Sequence, residues 1–389
     1  MALKREKKVR GRLQTLVRNV VIENERVTSD SIASLRPTAD FISQEYSEDI
    51  RSDDIFEFLY LKISEFIKNT ARELKLNENE RILISDVLSR DDLEAFENTI
   101  LEILKSIPCN YTVRVLLEAG TDEPQICVKL SENAHLEVIE ELKSSNFLGA
   151  LGGIVPTQKN IYLVMRIFGF CAISSESSVA IRAVTTLKTF LYLAWNQNLT
   201  YNLEFNSIAN DLSSYEQHIL PKRYIEVLEP KFINYLDILL PLELSAFISK
   251  FKLKISLSDF VLENFNEIIT DTSMEAERIT AAIEWYIDSM ITDASTVKFI
   301  QTCIGLESLL GDEREDAPLT LTLADRCAYL LAAKMKHRAN FRKKFKDMYS
   351  IRSKIIHGSS RNLKSEEIEH YVFARSMLIQ AIQAELKRL

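Results

Sequence analysis

Arg352 and His357 stand five residues apart, with Gly358 directly after them. An imidazole can take or give a proton near neutral pH. A guanidinium can hold a phosphate by several charge-assisted hydrogen bonds. Together the two residue types suit chemistry at a phosphodiester. At about 100° per residue, five helical steps put the two side chains about 140° apart. A long guanidinium and an imidazole at a helix end can still reach one phosphate. Convergence is easier if two copies of the helix meet across a two-fold axis.

The surrounding charge is segregated. Lys334 to Lys364 holds eleven Lys and Arg against one acid, Asp347. The chain as a whole carries −8, so this stretch is +10 and the remainder −18. Lys343, Lys344, Lys346, Lys354 and Arg361 belong to this island. Two readings are open. Such an island draws a polyanion to one place, and it is also what a solvated helix face beside an acidic neighbour looks like.

On a helical wheel Phe341, Phe345, Met348, Ile355 and Ile356 share a face, and Arg352 falls among them. A cation there is costly unless paired. The preceding helix offers a partner, because Glu307 lies within an apolar stripe of Ile300, Cys303, Ile304 and Leu310. The pair is either a purely structural ion pair or the support of a functional arginine.

These residues need a helical frame. Five helical segments are predicted: Glu275–Ile291, Ser295–Leu310, Leu323–His337, Ala339–His357 and Ser365–Leu389. Upstream, apolar spacing predicts helices over Asp53–Lys75 and Asp91–Ser106. Tyr111–Ala119, Gln125–Ser131 and Asn160–Phe170 read as strands, His135–Ser145 and Ser177–Trp195 as helices. Asn206–Ile269 reads as helical with interruptions at Pro221, Pro230 and Pro241. The expected organisation is an N-terminal helical region over 1–107, a small α+β unit over 108–200, a helical connecting region over 201–272 and a helical bundle over 273–389. The fold class is therefore mainly α with a small α+β region.

Composition narrows the classes. Only 9 Gly and 8 Pro in 389 residues argue for long helices and against disorder. The five cysteines are scattered, without a C-x-x-C pair, and fit reduced core residues of a cytoplasmic protein. No H-E-x-x-H or similar ligand spacing occurs, so no metal and no cofactor are expected. The basic arm from Lys4 to Arg18 has no apolar run after it, which speaks against a signal peptide. It reads as a solvated helix start or a frayed tail, with RNA contact as the other reading. The longest apolar stretch, Phe232–Phe247, is broken by Asp237, Pro241 and Glu243, so no membrane association is expected. The Gly149–Pro156 segment is open to reading as a phosphate cradle or a turn; it lacks G-x-G-x-x-G spacing and a following Lys-Ser/Thr.

Tyr349-Ser-Ile-Arg352-Ser-Lys-Ile-Ile-His357-Gly358 resembles the R-x4-6-H motif of the HEPN superfamily, in the context of its Apea-like group. Ile304-Gly-Leu-Glu307-Ser-Leu-Leu310 resembles the helix that precedes it there, and Tyr162–Trp195 resembles the amino-terminal part of large Apea-like proteins. The resemblance covers about the last 115 residues well. It implies a C-terminal HEPN-type helical bundle and a metal-independent endoribonuclease, of the toxin or phage-defence kind. It implies RNA as substrate, a homodimer through that bundle and a regulatory protein or phage trigger as partner. His357 would be the general acid/base and Arg352 the group that stabilises the phosphorane, with Glu307, Ser353 and Tyr349 in support. Products would carry 2′,3′-cyclic phosphate and 5′-hydroxyl ends. Two positions depart from the family. Ser353 stands where many members place Asn, Asp or His, and Ser359 stands where nucleotidyltransferase-controlled members carry Tyr. The alternative expectation is a non-catalytic HEPN module that binds RNA or nucleotide as a scaffold in a larger complex.

Overall fold

The computed structural model describes residues 5–23, 26–46, 50–74, 81–142, 157–171, 176–196, 222–232, 237–249, 253, 257–311, 319–332, 334–358 and 362–389. Gly149–Pro156, His218, Ser359 and Arg361 lie outside them. The protein is mainly α with a β part. Two compact units divide it: Met1–Val115 with Val164–Ala183 and Arg223–Leu240, and Leu116–Leu163 with Val184–Lys222 and Pro241–Leu389.

The first unit is built on helices α1 (Glu6–Arg18), α2 (Ser29–Ser43), α3 (Ser52–Leu74), α4 (Ile84–Val87) and α5 (Arg90–Ser106). In its described part, from Arg5 on, the basic arm is a helix packed by one face rather than solvated all round, and Lys4 lies outside the described residues. Val9, Leu13, Leu16 and Val17 recur at helical spacing and are buried in α1, so its charges form only the outer face. Thr28 caps α2, its hydroxyl accepting from the Ser31 N–H at 3.4 Å. Ser89 caps α5 in the same way, from Asp92 at 3.2 Å. Phe66 of α3 and Phe96 of α5 stack at 3.9 Å between ring centroids. A small sheet in the order β2 (Arg26–Val27), β1 (Val21–Glu23), β3 (Ile82–Leu83) accompanies them.

A six-stranded sheet has the order β5 (Cys127–Lys129), β6 (Ala134–Leu142), β7 (Thr157–Gly169), β4 (Cys109–Ala119), β8 (Tyr224–Glu229), β9 (Asp237–Leu239). Two helical expectations fail here. Of the stretch predicted as the helix His135–Ser145, the described part belongs to the strand β6: Ala134, Leu136 and Val138 are buried at alternate positions, and β5 and β7 satisfy the backbone on both sides. Within 206–269, the helical reading gives way at β8 and β9. Ile225 and Val227 face inward with period two, and Val115↔Ile225 sets the register against β4. Short alternating segments flanked by charges read ambiguously; strand partners distant in sequence decide them.

At the end of β7, Gly169 has φ +155°, and a Cβ there would stand 2.6 Å from Ser178 Oγ. The close approach lets Ser178 Oγ accept from the Phe170 N–H at 2.9 Å. The helix α6 (Ser178–Asn196) begins at this contact.

In the second unit α7 (Leu242–Ser249) and α8 (Asp259–Thr270) precede five helices: α9 (Met274–Ile291), α10 (Ser295–Leu310), α11 (Leu319–Leu331), α12 (Met335–Ile356) and α13 (Ile368–Leu386). They pack on one another, α9 on α10, α11 on α12, and α10 and α12 on α13. Ser273 caps α9 by accepting from Ala276 at 3.1 Å. Gly305 permits a close crossing: its Cβ position lies 2.9 Å from Leu378 and 3.3 Å from Trp285. Among the described residues no helix is long and apolar enough to cross a membrane.

Candidate functional site

The core side of α12 is formed by Phe345, Met348, Tyr349 and Ile351, all buried. Phe345 and Tyr349, one turn apart, stack at 5.0 Å. The apolar stripe differs from the wheel at its C-terminal end. Phe341 and Ile355 are half-buried, and Ile356 is 50% exposed. The buried face of α10 is also rotated from expectation. Phe299, Thr302, Cys303, Leu306, Leu309 and Leu310 carry it, whereas Ile300 and Ile304 are half-buried. The core of a five-helix bundle surrounds α10 on more than one side, which a single-helix wheel does not capture.

Glu307 and Arg352 meet between these helices. Arg352 Nη2 lies 2.9 Å from Glu307 Oε1 and 3.1 Å from Oε2. Tyr349 Oη donates to the same carboxylate at 2.6 Å. The pair is about one-fifth exposed on each side, so it is half-buried rather than sealed in the core. Burial, reinforced by the Glu307 charge, pushes the Tyr349 phenol up and keeps it a donor. Cys303, one turn before Glu307, has its thiol raised by burial first and by Glu307 second, so it stays neutral. Arg352 Nε is buried without a hydrogen-bond partner among the described residues. The Tyr349 ring, 5.8 Å from the guanidinium, adds a weak cation–π contact.

His357 occupies a different place. It is the C-cap of α12, its N–H donating to Ser353 O at 3.0 Å, and Gly358 at φ +75° turns the chain away. Its imidazole is exposed. Lys343, Lys346 and Lys354 are exposed too, and have no ion-pair partner among the described residues. At about 100° per residue, these three lysines and His357 fall within an arc of about 80°. Asp347 lies at the edge of that face. Arg352 points to the opposite side of the helix. Ser353 is exposed and makes no side-chain contact with the Glu307 group among the described residues.

Three other members of the basic island are engaged within the bundle. Arg342 pairs with Asp325, Arg338 lies 4.3 Å over the Tyr329 ring, and Lys344 Nζ lies 5.6 Å over Phe373. Only part of the +10 stretch is therefore an open cationic surface. Sequence reasoning missed this division, because the partners come from α11 and α13. His337 is exposed, and His370 is half-buried 3.9 Å from Glu369.

Compared with family models, with curated proteins and with solved structures, the chain matches none of them.

Proposed function

We propose that the C-terminal bundle is a metal-independent endoribonuclease of the HEPN type, working as a homodimer. The observation that carries this reading is the exposed imidazole of His357 on a helix face shared with Lys343, Lys346 and Lys354. The lysines hold the phosphate backbone. His357 takes the proton from a ribose 2′-hydroxyl, or gives one to the departing 5′-oxygen. The 2′-oxygen bonds to phosphorus as the bond from phosphorus to the 5′-oxygen breaks. The products are a 2′,3′-cyclic phosphate and a 5′-hydroxyl, and DNA is excluded because it lacks the attacking hydroxyl.

One imidazole cannot be acid and base in the same turnover step. Two copies meeting across a two-fold axis would supply both. The same pairing would let Arg352 of one copy face the phosphate beside His357 of the other, where it would stabilise the phosphorane. Ile356 beside His357, with Ile368 and Val372 at the start of α13, are exposed apolar side chains that such a partner would cover. Residues 1–270 would sense a trigger or hold the nuclease off.

A second reading has its own observation. Arg352 is already occupied by Glu307, as a structural pin would be. In that reading the bundle is a non-catalytic scaffold that binds RNA or nucleotide. Purified protein incubated in EDTA with a labelled RNA panel separates the two. Cleavage leaving cyclic-phosphate ends, absent in His357→Ala, supports the nuclease. Equal cleavage by both proteins removes His357 from the chemistry. RNA binding without cleavage, with a large stability loss in Arg352→Ala, favours the scaffold.

A further inference from the structure

The first unit carries a groove between α1 and α2 with a volume of about 650 Å³. That is the size range of small-ligand sites. Its charge is unusual for a chain of net −8. Lys8 and Arg12 line it, and no carboxylate does among the described residues. The N-cap Arg5 and the other arginines of α1 are each matched to an acid: Arg5 to Glu45, Arg10 to Glu6 at 4.0 Å and Arg18 to Glu97 at 3.7 Å. Lys8 and Arg12 have no acidic partner among the described residues. The guanidinium of Arg12 is positioned, since its carbon lies 4.4 Å over the Phe41 ring and one N–H donates to Pro37 O at 3.3 Å. Its remaining donors are available to an anion.

The floor of the groove is equally informative. Gly11 lies one turn into α1, and a Cβ there would meet nothing within 4 Å. A glycine inside a helix costs about 1 kcal/mol relative to alanine, and here its effect is to leave the groove open beside both cations. Beyond it lie Thr15 and Asn19 on the same face. Thr15 Oγ1 donates to Gly11 O at 3.0 Å, so its lone pairs remain to accept. Asn19 uses one amide N–H on Thr15 O at 2.9 Å and keeps the other, with its carbonyl, for a ligand. Lys8 and Asn19 are eleven residues apart. At about 1.5 Å per residue they stand roughly 16 Å apart along the axis. Cations thus occupy one end, and an amide that both donates and accepts occupies the other.

We infer that this groove binds a nucleotide, with its phosphates on Lys8 and Arg12 across Gly11, its sugar beside Thr15 and its base edge toward Asn19. A bare phosphate would leave most of the volume and the amide end unused. The assignment is independent of the nuclease reading, because it rests on residues of the other unit.

The experiment is calorimetric titration of the full chain, separately with ADP, GDP, CDP, UDP, pyrophosphate and a ten-nucleotide oligo(U) strand. At least one diphosphate is expected to bind at least tenfold more tightly than pyrophosphate. Lys8→Gln and Gly11→Leu, both altering exposed positions, should each weaken that binding at least tenfold, with a melting temperature no lower than the parent's. Asn19→Ala should weaken the nucleotide and leave pyrophosphate unchanged. The inference is overturned if no diphosphate binds, if pyrophosphate binds as well as the nucleotides, if only the strand binds, or if both Lys8→Gln and Gly11→Leu bind like the parent protein.

Discussion

Arg352 meets Glu307 at 2.9 and 3.1 Å on the side of α12 that faces away from His357. The carboxylate thereby joins α10 to α12, with the Tyr349 hydroxyl as a third member at 2.6 Å. Removing Glu307 strands a half-buried cation and a buried phenol at once. Glu307→Ala is expected to lower unfolding free energy by about 1–3 kcal/mol, the range for leaving hydrogen-bonded partners unsatisfied, taken low because the pair is part-exposed. Urea unfolding of the full chain measures it. Glu307→Gln, which still accepts from Tyr349, should lose less. Equal stability of all three proteins would show that the contact contributes nothing.

Among the described residues the exposed His357 side chain makes no hydrogen bond or ion pair. His357→Ala should therefore stay within about 0.5 kcal/mol of the parent in stability, as exposed substitutions usually do. Its RNA cleavage rate should fall by about 10²–10⁴-fold, the usual contribution of a general acid or base. Stability and cleavage measured on one preparation give both numbers, and a variant that melts early would move His357 from chemistry to structure.

Lys343, Lys346 and Lys354 are open cations on the His357 face of α12, whereas Arg338 and Arg342 are engaged with Tyr329 and Asp325. Replacing the three by Gln should flatten the dependence of log affinity on log salt by about 2, at about 0.7 per phosphate contact on single strands. RNA binding measured across a salt series tests this. An unchanged slope would place the RNA elsewhere.

Asp54 is fully buried, and its carboxylate oxygens have no hydrogen-bond partner among the described residues. Burial pushes its carboxyl up to about 6, against the opposing charge of Arg51. The folded protein thus binds the proton more tightly than the unfolded chain, where the value is about 3.9. The favourable contribution is fully present below about pH 4 and is lost as pH rises through about 6. Asp54→Asn removes this titration. Relative to the parent, the variant should gain about 2–3 kcal/mol between pH 4 and pH 7. Urea unfolding at four pH values in that window reads the difference, and parallel curves would refute the assignment.

Gly305 sits where α10 crosses α9 and α13. A methyl group there would come within 2.9 Å of Leu378 Cδ2. Gly305→Ala is expected to destabilise by about 1–3 kcal/mol despite its better helix propensity, because overpacking outweighs backbone entropy. A gain in melting temperature would mean that Leu378 moves aside at no cost.

The long helices were legible in the sequence. Segments such as Ser295–Leu310 repeat their apolar pattern over four turns, so local periodicity alone determines them. The strands read as Tyr111–Ala119 and Asn160–Phe170 were legible too, and run Cys109–Ala119 and Thr157–Gly169 in the structure; so was the Glu307–Arg352 pairing, because a charge on an apolar stripe requires an opposite charge nearby. Tertiary structure decided the rest. Ala134–Leu142 becomes a strand because β5 and β7 flank it, and Tyr224–Glu229 because β4 offers an edge more than a hundred residues away in sequence. It also decided which cations are open. Arg338, Arg342 and Lys344 are drawn onto Tyr329, Asp325 and Phe373, while Lys343, Lys346 and Lys354 have no ion-pair partner among the described residues. Charge counts are a property of the chain, but pairing requires two groups to be brought within a few ångströms, and only the packing of distant helices does that.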